Sequence, residues 1–262
     1  LGNPRIVGTC QKAVLEEDPT LVFLMETKFK VEEMVGIKRK LERKQGLIVH
    51  SVRRSGGLAL LWKDSMSVDV QVYSQNHIDA IVMKEDGNKK WRFTGFYGHP
   101  ETNKREESWR LLVNLSTRSD LPWVCMGDFN EIRHRGEKEG GGERPEWQMR
   151  AFSSAINKSK LKDMGCVGPK FTWSKWLGTS GWVRERLDRA LVCTNWISLF
   201  PWVRLYNVAT CSSNHNMLIF KASPPRSRNK RRQRLFRFEA MWIKESECDG
   251  VVKEAWERSK FG

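Results

Sequence analysis

No run in this chain approaches the ~20 consecutive apolar residues that a membrane-spanning helix needs, and no signal-peptide pattern opens it. The expectation is a protein that is not secreted and has no membrane partner. Cysteine is sparse and scattered: six residues, at 10, 125, 166, 193, 211 and 248, with no C-x-x-C pair. That leaves no zinc ribbon and no thiol-redox motif, and makes a reducing compartment the default. Cys125, inside an apolar run, reads as a small hydrophobe. Repeats of solenoid length are absent, and so is a strict alternation of strand and helix. An initiator Met is also lacking; Leu1-Gly2-Asn3-Pro4 reads as the middle of a longer frame.

Acidic residues are missing altogether between Lys221 and Arg237, where eight Lys or Arg stand. That short segment holds about half of the net charge of +15. A run of this kind favours a polyanion or acts as a nuclear-import signal, or it is a solvated linker. Arg231 and Arg232 at its centre are candidate nucleic-acid contacts.

What is present is a mixture of strands and helices over 262 residues, a length that one layered domain can fill. Helical spacing covers 10–18, 31–44, 103–118 and 146–159. Strands are expected at 21–26, 46–51, 56–62, 65–73, 77–84, 89–98, 121–130, 170–175, 182–193, 203–209 and 217–222, from apolar runs and period-two alternation. "VRRSG" and "EDGN" read as turns, as does "KDMG", and 133–147 as a flexible charged loop. Several neighbouring strands look antiparallel, so the fold class is α+β: two sheets face to face with helices outside. From Ser223, Pro224-Pro225 and the basic run break the pattern. The expected division is a domain over 1–222, a basic linker over 223–237, and the start of a further helical segment over 238–262.

Polar residues collect at strand ends: Glu26, Tyr97, Asp128, Asn130, Asp188 and His215. Each alone has an ordinary explanation as a turn former, cap or loop residue. Together they supply what metal-assisted phosphodiester hydrolysis requires. A hard cation such as Mg²⁺ takes carboxylate oxygens and polarises phosphoryl oxygens. One carboxylate orients or deprotonates water, an imidazole meets developing charge, a second carboxylate fixes its tautomer, and neutral Asn holds phosphate.

The ordered segments "METK", "GGLALLW", "FTGFYG", "MGDFNEI", "FTWSK", "RLDRAL" and Ser213-x-His215 resemble the endonuclease/exonuclease/phosphatase family. More narrowly, they resemble the endonuclease domain of plant LINE-type retrotransposons. The resemblance covers roughly residues 1–222. It implies a four-layered α/β/β/α sandwich of two mostly antiparallel sheets with one Mg²⁺ site, which Mn²⁺ can also fill, at the strand ends. Position by position, it implies that Glu26 is the metal ligand and that Lys28 supports that carboxylate. Tyr97 and Asn130 are similar to the phosphate-contacting pair, Asp128 to the aspartate that handles the nucleophilic water or leaving group, and Asp188 to the aspartate that holds metal or histidine. His215 is similar to the catalytic histidine. Thr172 and Trp173 would lie near the nucleic-acid face; a nuclease also needs exposed aromatic and basic side chains to stack on and track a strand, for which Trp173, Trp176, Arg184 and Arg186 are candidates. The implied partners are DNA and a downstream reverse transcriptase region of the same polyprotein, and the implied place is the nucleus, where the domain nicks target DNA to prime reverse transcription.

Two departures bear on activity. The asparagine-bearing first strand of the family does not appear, Asn3 coming too late to supply it, which is expected to leave a sheet edge or core gap uncovered. The Ser-Asp-His motif reads Ser213-Asn214-His215 here, so Asn214 keeps the size of the usual residue at the metal site and loses its charge. The expectation is a kept fold with weak or absent hydrolysis. A nucleic-acid-binding relic without turnover is the alternative, and a phosphatase on small phosphorylated molecules stands behind both.

Overall fold

The computed structural model describes residues 4–51, 56–84, 89–178, 181–210, 213–222, 249–251 and 253–254. The chain divides into two units, Leu1–Pro224 and Pro225–Gly262. In the second, the five described residues are helical. The basic run 223–237 with Arg231 and Arg232, the "EDGN" turn, and 52–55 of "VRRSG" lie outside the described residues.

In the first unit, α1 (Pro4–Glu17) and α2 (Val31–Lys40) flank a three-stranded sheet of β1 (Leu21–Leu24), β3 (Leu58–Trp62) and β2 (Gln45–Val49), with β3 central. The run "LALLW" explains why β3 is central: both its faces are buried. Ala59 and Leu61 pack with Val7, Cys10 and Val14 of α1 and with Met34 and Ile37 of α2. Leu58 and Leu60 point the other way, into the core between the sheets.

Across that core stands a six-stranded sheet. Its order is β4 (Met66–Tyr73), β5 (His77–Lys84), β6 (Lys90–Tyr97), β7 (Trp123–Asp128), β12 (Asp188–Val192) and β9 (Lys162–Asp163). Its neighbours run antiparallel except β6 and β7, which are parallel. The crossover between those two contains α3 (Arg105–Ser116), as a parallel pair requires. Even-numbered residues Val124, Ala190 and Val192 enter the inter-sheet core with Phe93. Phe96, Cys125 and Leu191 face α3 and α4 (Glu146–Lys158), where Trp109, Leu112, Phe152 and Ile156 cover them. The order is thus helix, sheet, sheet, helix, built on alternation that buries both strand faces.

The layers differ in detail from the expected two sheets. β13 (Val203–Val208) and β14 (Met217–Ala222) form a separate antiparallel pair, whose Leu205, Leu218 and Phe220 join the inter-sheet core. β10 (Trp173–Trp176), β11 (Trp182–Glu185) and β8 (Lys138–Glu139) form a fourth sheet. The run 182–193 is therefore not one strand: it breaks at Arg186-Leu187 and passes from the small sheet to the large one. A short helix, α5 (Thr194–Leu199), follows.

The charged stretch 133–147 is an ordered element rather than a flexible loop. Glu137 within it accepts from Arg186 Nη1 at 2.9 Å, from Arg189 Nη1 at 2.9 Å and from Arg189 Nη2. The "KDMG" turn likewise begins as β9, and its Asp163 accepts from both Arg186 (2.8 and 2.7 Å) and Arg189 (2.8 Å). Nearby, Arg144 meets Glu131 and Glu185, Arg105 meets Glu131, and Lys138 meets Glu185. Burial makes each of these carboxylates depend on its guanidinium or ammonium partner, which fixes the small sheet's orientation on the large one.

Candidate active site

Three residues share one register level at the end of the large sheet. Tyr97 pairs with Asp128 across β6 and β7, and Asp128 pairs with Asp188 across β7 and β12. All three lie on the inner face, continuing the rows of Phe93, Val124 and Ala190. Gly127 permits this, because a Cβ there would sit 1.9 Å from the Phe96 carbonyl oxygen. Asp128 and Asp188 are only 2% and 3% exposed. The Asp128 Oδ1 accepts the Asn130 backbone N–H at 2.7 Å, and its own N–H donates to Met25 Sδ at 3.2 Å. Asn130 adopts φ +54° and donates Nδ2 to the Gly98 carbonyl at 2.9 Å, tying the exits of β6 and β7 together.

Glu26 enters from the other layer. β1 stops at Leu24, and the chain turns through left-handed Glu26 (φ +47°) and Lys28 (φ +55°). Tyr97 Oη donates to Glu26 Oε1 at 2.5 Å, and Lys28 Nζ lies 3.7 Å from Glu26 Oε2. Burial and the adjacent Glu26 carboxylate push the Tyr97 phenol well above its ordinary range, so it stays a donor.

His215 closes the site from the segment before β14. Its Nδ1 lies 2.9 Å from Asp188 Oδ2. Its backbone N–H donates to Ser213 Oγ at 3.1 Å, and Thr210 Oγ1 donates to its carbonyl at 2.8 Å. An antiparallel bridge to Trp173 seats it beside β10, with the two rings edge to face at 6.5 Å. Burial alone would lower the imidazole, but Asp188, by charge and hydrogen bond, and then Asp128 and Glu26 hold it up at about 9. Burial and the neighbouring Asp188 raise Asp128 to about 7, against the lowering effects of His215 and the Asn130 N–H.

Ligand atoms of Asp128, Asp188 and His215 lie within 4.8 Å of one another. Hard carboxylate oxygens at this spacing fit a divalent cation such as Mg²⁺, and the raised Asp128 marks a place where positive charge would relieve two crowded carboxylates. Glu26 is close enough to raise both Asp128 and His215, so it belongs to the same donor set. His215, charged and bonded to Asp188, does not serve as a ligand in that state. Glu26, Lys28, Tyr97, Asp128, Asn130, Asp188 and His215 are thus gathered at one edge of the sandwich.

Other candidates sit differently. Thr172 is fully buried and cannot touch nucleic acid: its Oγ1 accepts the backbone N–H groups of Leu187 (3.0 Å) and Asp188 (2.9 Å), fixing the start of β12. Arg186 is spent on Glu137 and Asp163, so it too is structural rather than a nucleic-acid contact. Asn214 is exposed and offers its carbonyl to the Ser174 N–H at 2.9 Å. Trp173 is half-buried against His215. Trp176 is 55% exposed and meets 50%-exposed Trp182 edge to face at 5.5 Å, on the same outward face as Arg184. Trp182 was not foreseen from the sequence, and neither was Asn76, which brackets Tyr97: its carbonyl accepts the Tyr97 N–H (2.7 Å) and its Nδ2 donates to the Tyr97 carbonyl (3.0 Å). The sequence signal for Trp182 was its place opposite Trp176 across a Gly-containing turn.

The chain is similar in fold to several solved structures. A 3′ phosphatase from Neisseria bound to a product DNA hairpin superposes with a TM-score of 0.62 at 13% identity, covering 84% of this chain and 95% of that one. An AP endonuclease from Archaeoglobus fulgidus gives 0.63 at 13%, covering 82% and 93%. The endonuclease domain of a telomere-specific non-LTR retrotransposon gives 0.59 at 11%, covering 82% and 92%. No curated protein matches the sequence. The sequence profile of one family does match, over residues 9–215, spanning every gathered site residue from Glu26 to His215: the chain belongs to the Endonuclease/Exonuclease/phosphatase family.

Proposed function

We propose that the first unit is a metal-dependent phosphodiester hydrolase that nicks DNA, as part of a retrotransposon polyprotein whose downstream region is a reverse transcriptase and which works in the nucleus. The observation that carries the chemistry is the Tyr97–Asp128–Asp188 row closed by the 2.9 Å His215–Asp188 bond. A divalent cation at Glu26, Asp128 and Asp188 would neutralise phosphoryl and leaving-oxygen charge. Asp128, buried at the end of β7 beside Asp188, would orient the attacking water and take its proton as the water oxygen bonds to phosphorus and the bond to the leaving oxygen breaks. His215, held charged by Asp188 through Nδ1, would donate from Nε2 to a phosphoryl oxygen as charge builds, while Tyr97, whose hydroxyl proton goes to Glu26, holds that carboxylate in place. The exposed Trp176–Trp182 pair with Arg184 supports a strand-binding role, through base stacking and phosphate contact. The retrotransposon role rests on the resemblance of the motifs and on the fold likeness to one such endonuclease domain.

One observation favours a second reading, DNA binding without turnover. Asn214, neutral and exposed, adds no negative charge beside His215. The test is nicking of supercoiled plasmid with Mg²⁺ by the natural chain, Asn214→Asp and Asp128→Asn. The hydrolase reading expects slow nicking, faster nicking by Asn214→Asp, and none by Asp128→Asn. Folded variants that bind DNA and never nick it would favour the second reading.

A further inference from the structure

We infer that Gly57 is a positioning residue for Glu26, an inference that rests on the metal-dependent reading above. Glu26 and Lys28 both hold left-handed backbone, at φ +47° and +55°. Side chains avoid that region, and single residues persist there only where the surroundings over-determine them. Neither is a glycine, and between them Thr27 is fully buried.

The surroundings are a second left-handed pair. Gly56 (φ +75°) and Gly57 (φ +84°) lead into β3. The Gly57 carbonyl accepts the Thr27 N–H at 3.1 Å, and the Gly56 carbonyl accepts the Lys28 N–H at 3.3 Å. These bonds hold the backbone on the far side of Glu26 from β1, while Tyr97 holds its carboxylate. The fit is tight at one position. A Cβ on residue 57 would lie 2.4 Å from Thr27 Oγ1, 3.3 Å from Ser51 Cβ and 3.4 Å from the Lys28 nitrogen. Among the described residues Thr27 Oγ1 has no hydrogen-bond partner, and it packs directly beside Gly57. Among the described residues, a Cβ on residue 56 would meet Gln75 Oε1 alone, at 3.7 Å. Both glycines are left-handed, but steric meshing with the Glu26 loop belongs to Gly57.

The two glycines therefore separate backbone strain from collision. Gly57→Ala is expected to push Thr27 away, break the Thr27 and Lys28 amide bonds, and swing Glu26 out of the site. Amide hydrogen exchange on the metal-free protein reads the first effect, as loss of protection at Thr27 and Lys28. Mn²⁺ titration followed by electron paramagnetic resonance reads the second, as a fall in affinity of about 10- to 100-fold, the range seen when support of a metal ligand is lost. Gly56→Ala, strained without colliding, should keep protection and most of the affinity. Thr27→Ala placed in the Gly57→Ala background removes the colliding oxygen and should restore both. Wild-type exchange and affinity in Gly57→Ala, or an equal loss in Gly56→Ala, overturns the inference. Should Gly57→Ala not fold, the double variant takes its place, and its failure to fold beside a folded Gly56→Ala also overturns it. Glu26→Gln separates the two readings: unchanged Mn²⁺ affinity there removes the metal role of Glu26, and the exchange result then decides the positioning role alone.

Discussion

Thr172 offers a clean test of how the site is held, through Thr172→Val. The two side chains have nearly the same shape, but valine lacks the hydroxyl. In the natural protein that hydroxyl accepts two backbone N–H groups, from Leu187 at 3.0 Å and Asp188 at 2.9 Å, and all three residues are buried. The swap leaves two buried donors without an acceptor, each costing roughly 1–3 kcal/mol. Partial relaxation brings the expected total to about 3 kcal/mol. For a unit of this size that is a fall in Tm of about 6–12 °C. Thr172→Ser keeps the acceptor and should lose far less. The measurements are urea and thermal unfolding of the three proteins, together with the His215 imidazole resonance, which should shift in the valine variant because Asp188 moves. A valine variant with natural stability and an unmoved imidazole would refute this account of Thr172, and weakened DNA binding alone in such a variant would return it to the nucleic-acid face.

Three further outcomes are expected. His215 titrates at about 9, above its ordinary 6.5, so its contribution to stability is full below about pH 6.5 and is lost as pH climbs through 9; in metal-free protein, Asp188→Asn should drop the imidazole pKa, read by NMR, and flatten that alkaline loss. Gly127→Ala should prevent folding or lower stability by several kcal/mol, since its Cβ would fall far inside van der Waals contact with the Phe96 carbonyl oxygen; a well-folded alanine variant by circular dichroism would contradict the close approach of β6 and β7. Arg189→Met should cost about 3–5 kcal/mol in chemical unfolding, because buried Glu137 and Asp163 would be left with less compensating charge; a neutral effect would mean that Arg186 alone suffices.

Strand ends were the most legible part of this protein. Asp128 and Tyr97 could be placed because apolar runs lead into them, and a polar residue after such a run lies at the rim of a sheet. β3 was legible for the same reason: five apolar residues after Gly-Gly have to be covered on both faces. What was not legible depends on distant partners. Arg186 looks like a free basic residue, yet its acceptors Asp163 and Glu137 lie 23 and 49 residues earlier. Thr172 sits in a motif that suggests exposure, and the backbone donors that claim it come 15 and 16 residues later. The break at Arg186-Leu187 was hidden because apolar and polar residues alternate through it without a Gly or Pro. α5 has six residues, too few for a helical period to declare itself.

The register level shared by Tyr97, Asp128 and Asp188 works as a ruler. Adjacent strands are spaced about 4.8 Å apart by their backbone hydrogen bonds, so the separations between these three groups are graduated by the main chain. Side chains elsewhere, and the loops that leave β6 and β7, can be rewritten without altering the graduations. That gives a physical reason why folds sharing only 11–13% of residues with this chain still superpose on more than four-fifths of it: the measure is kept in peptide groups, which every sequence possesses.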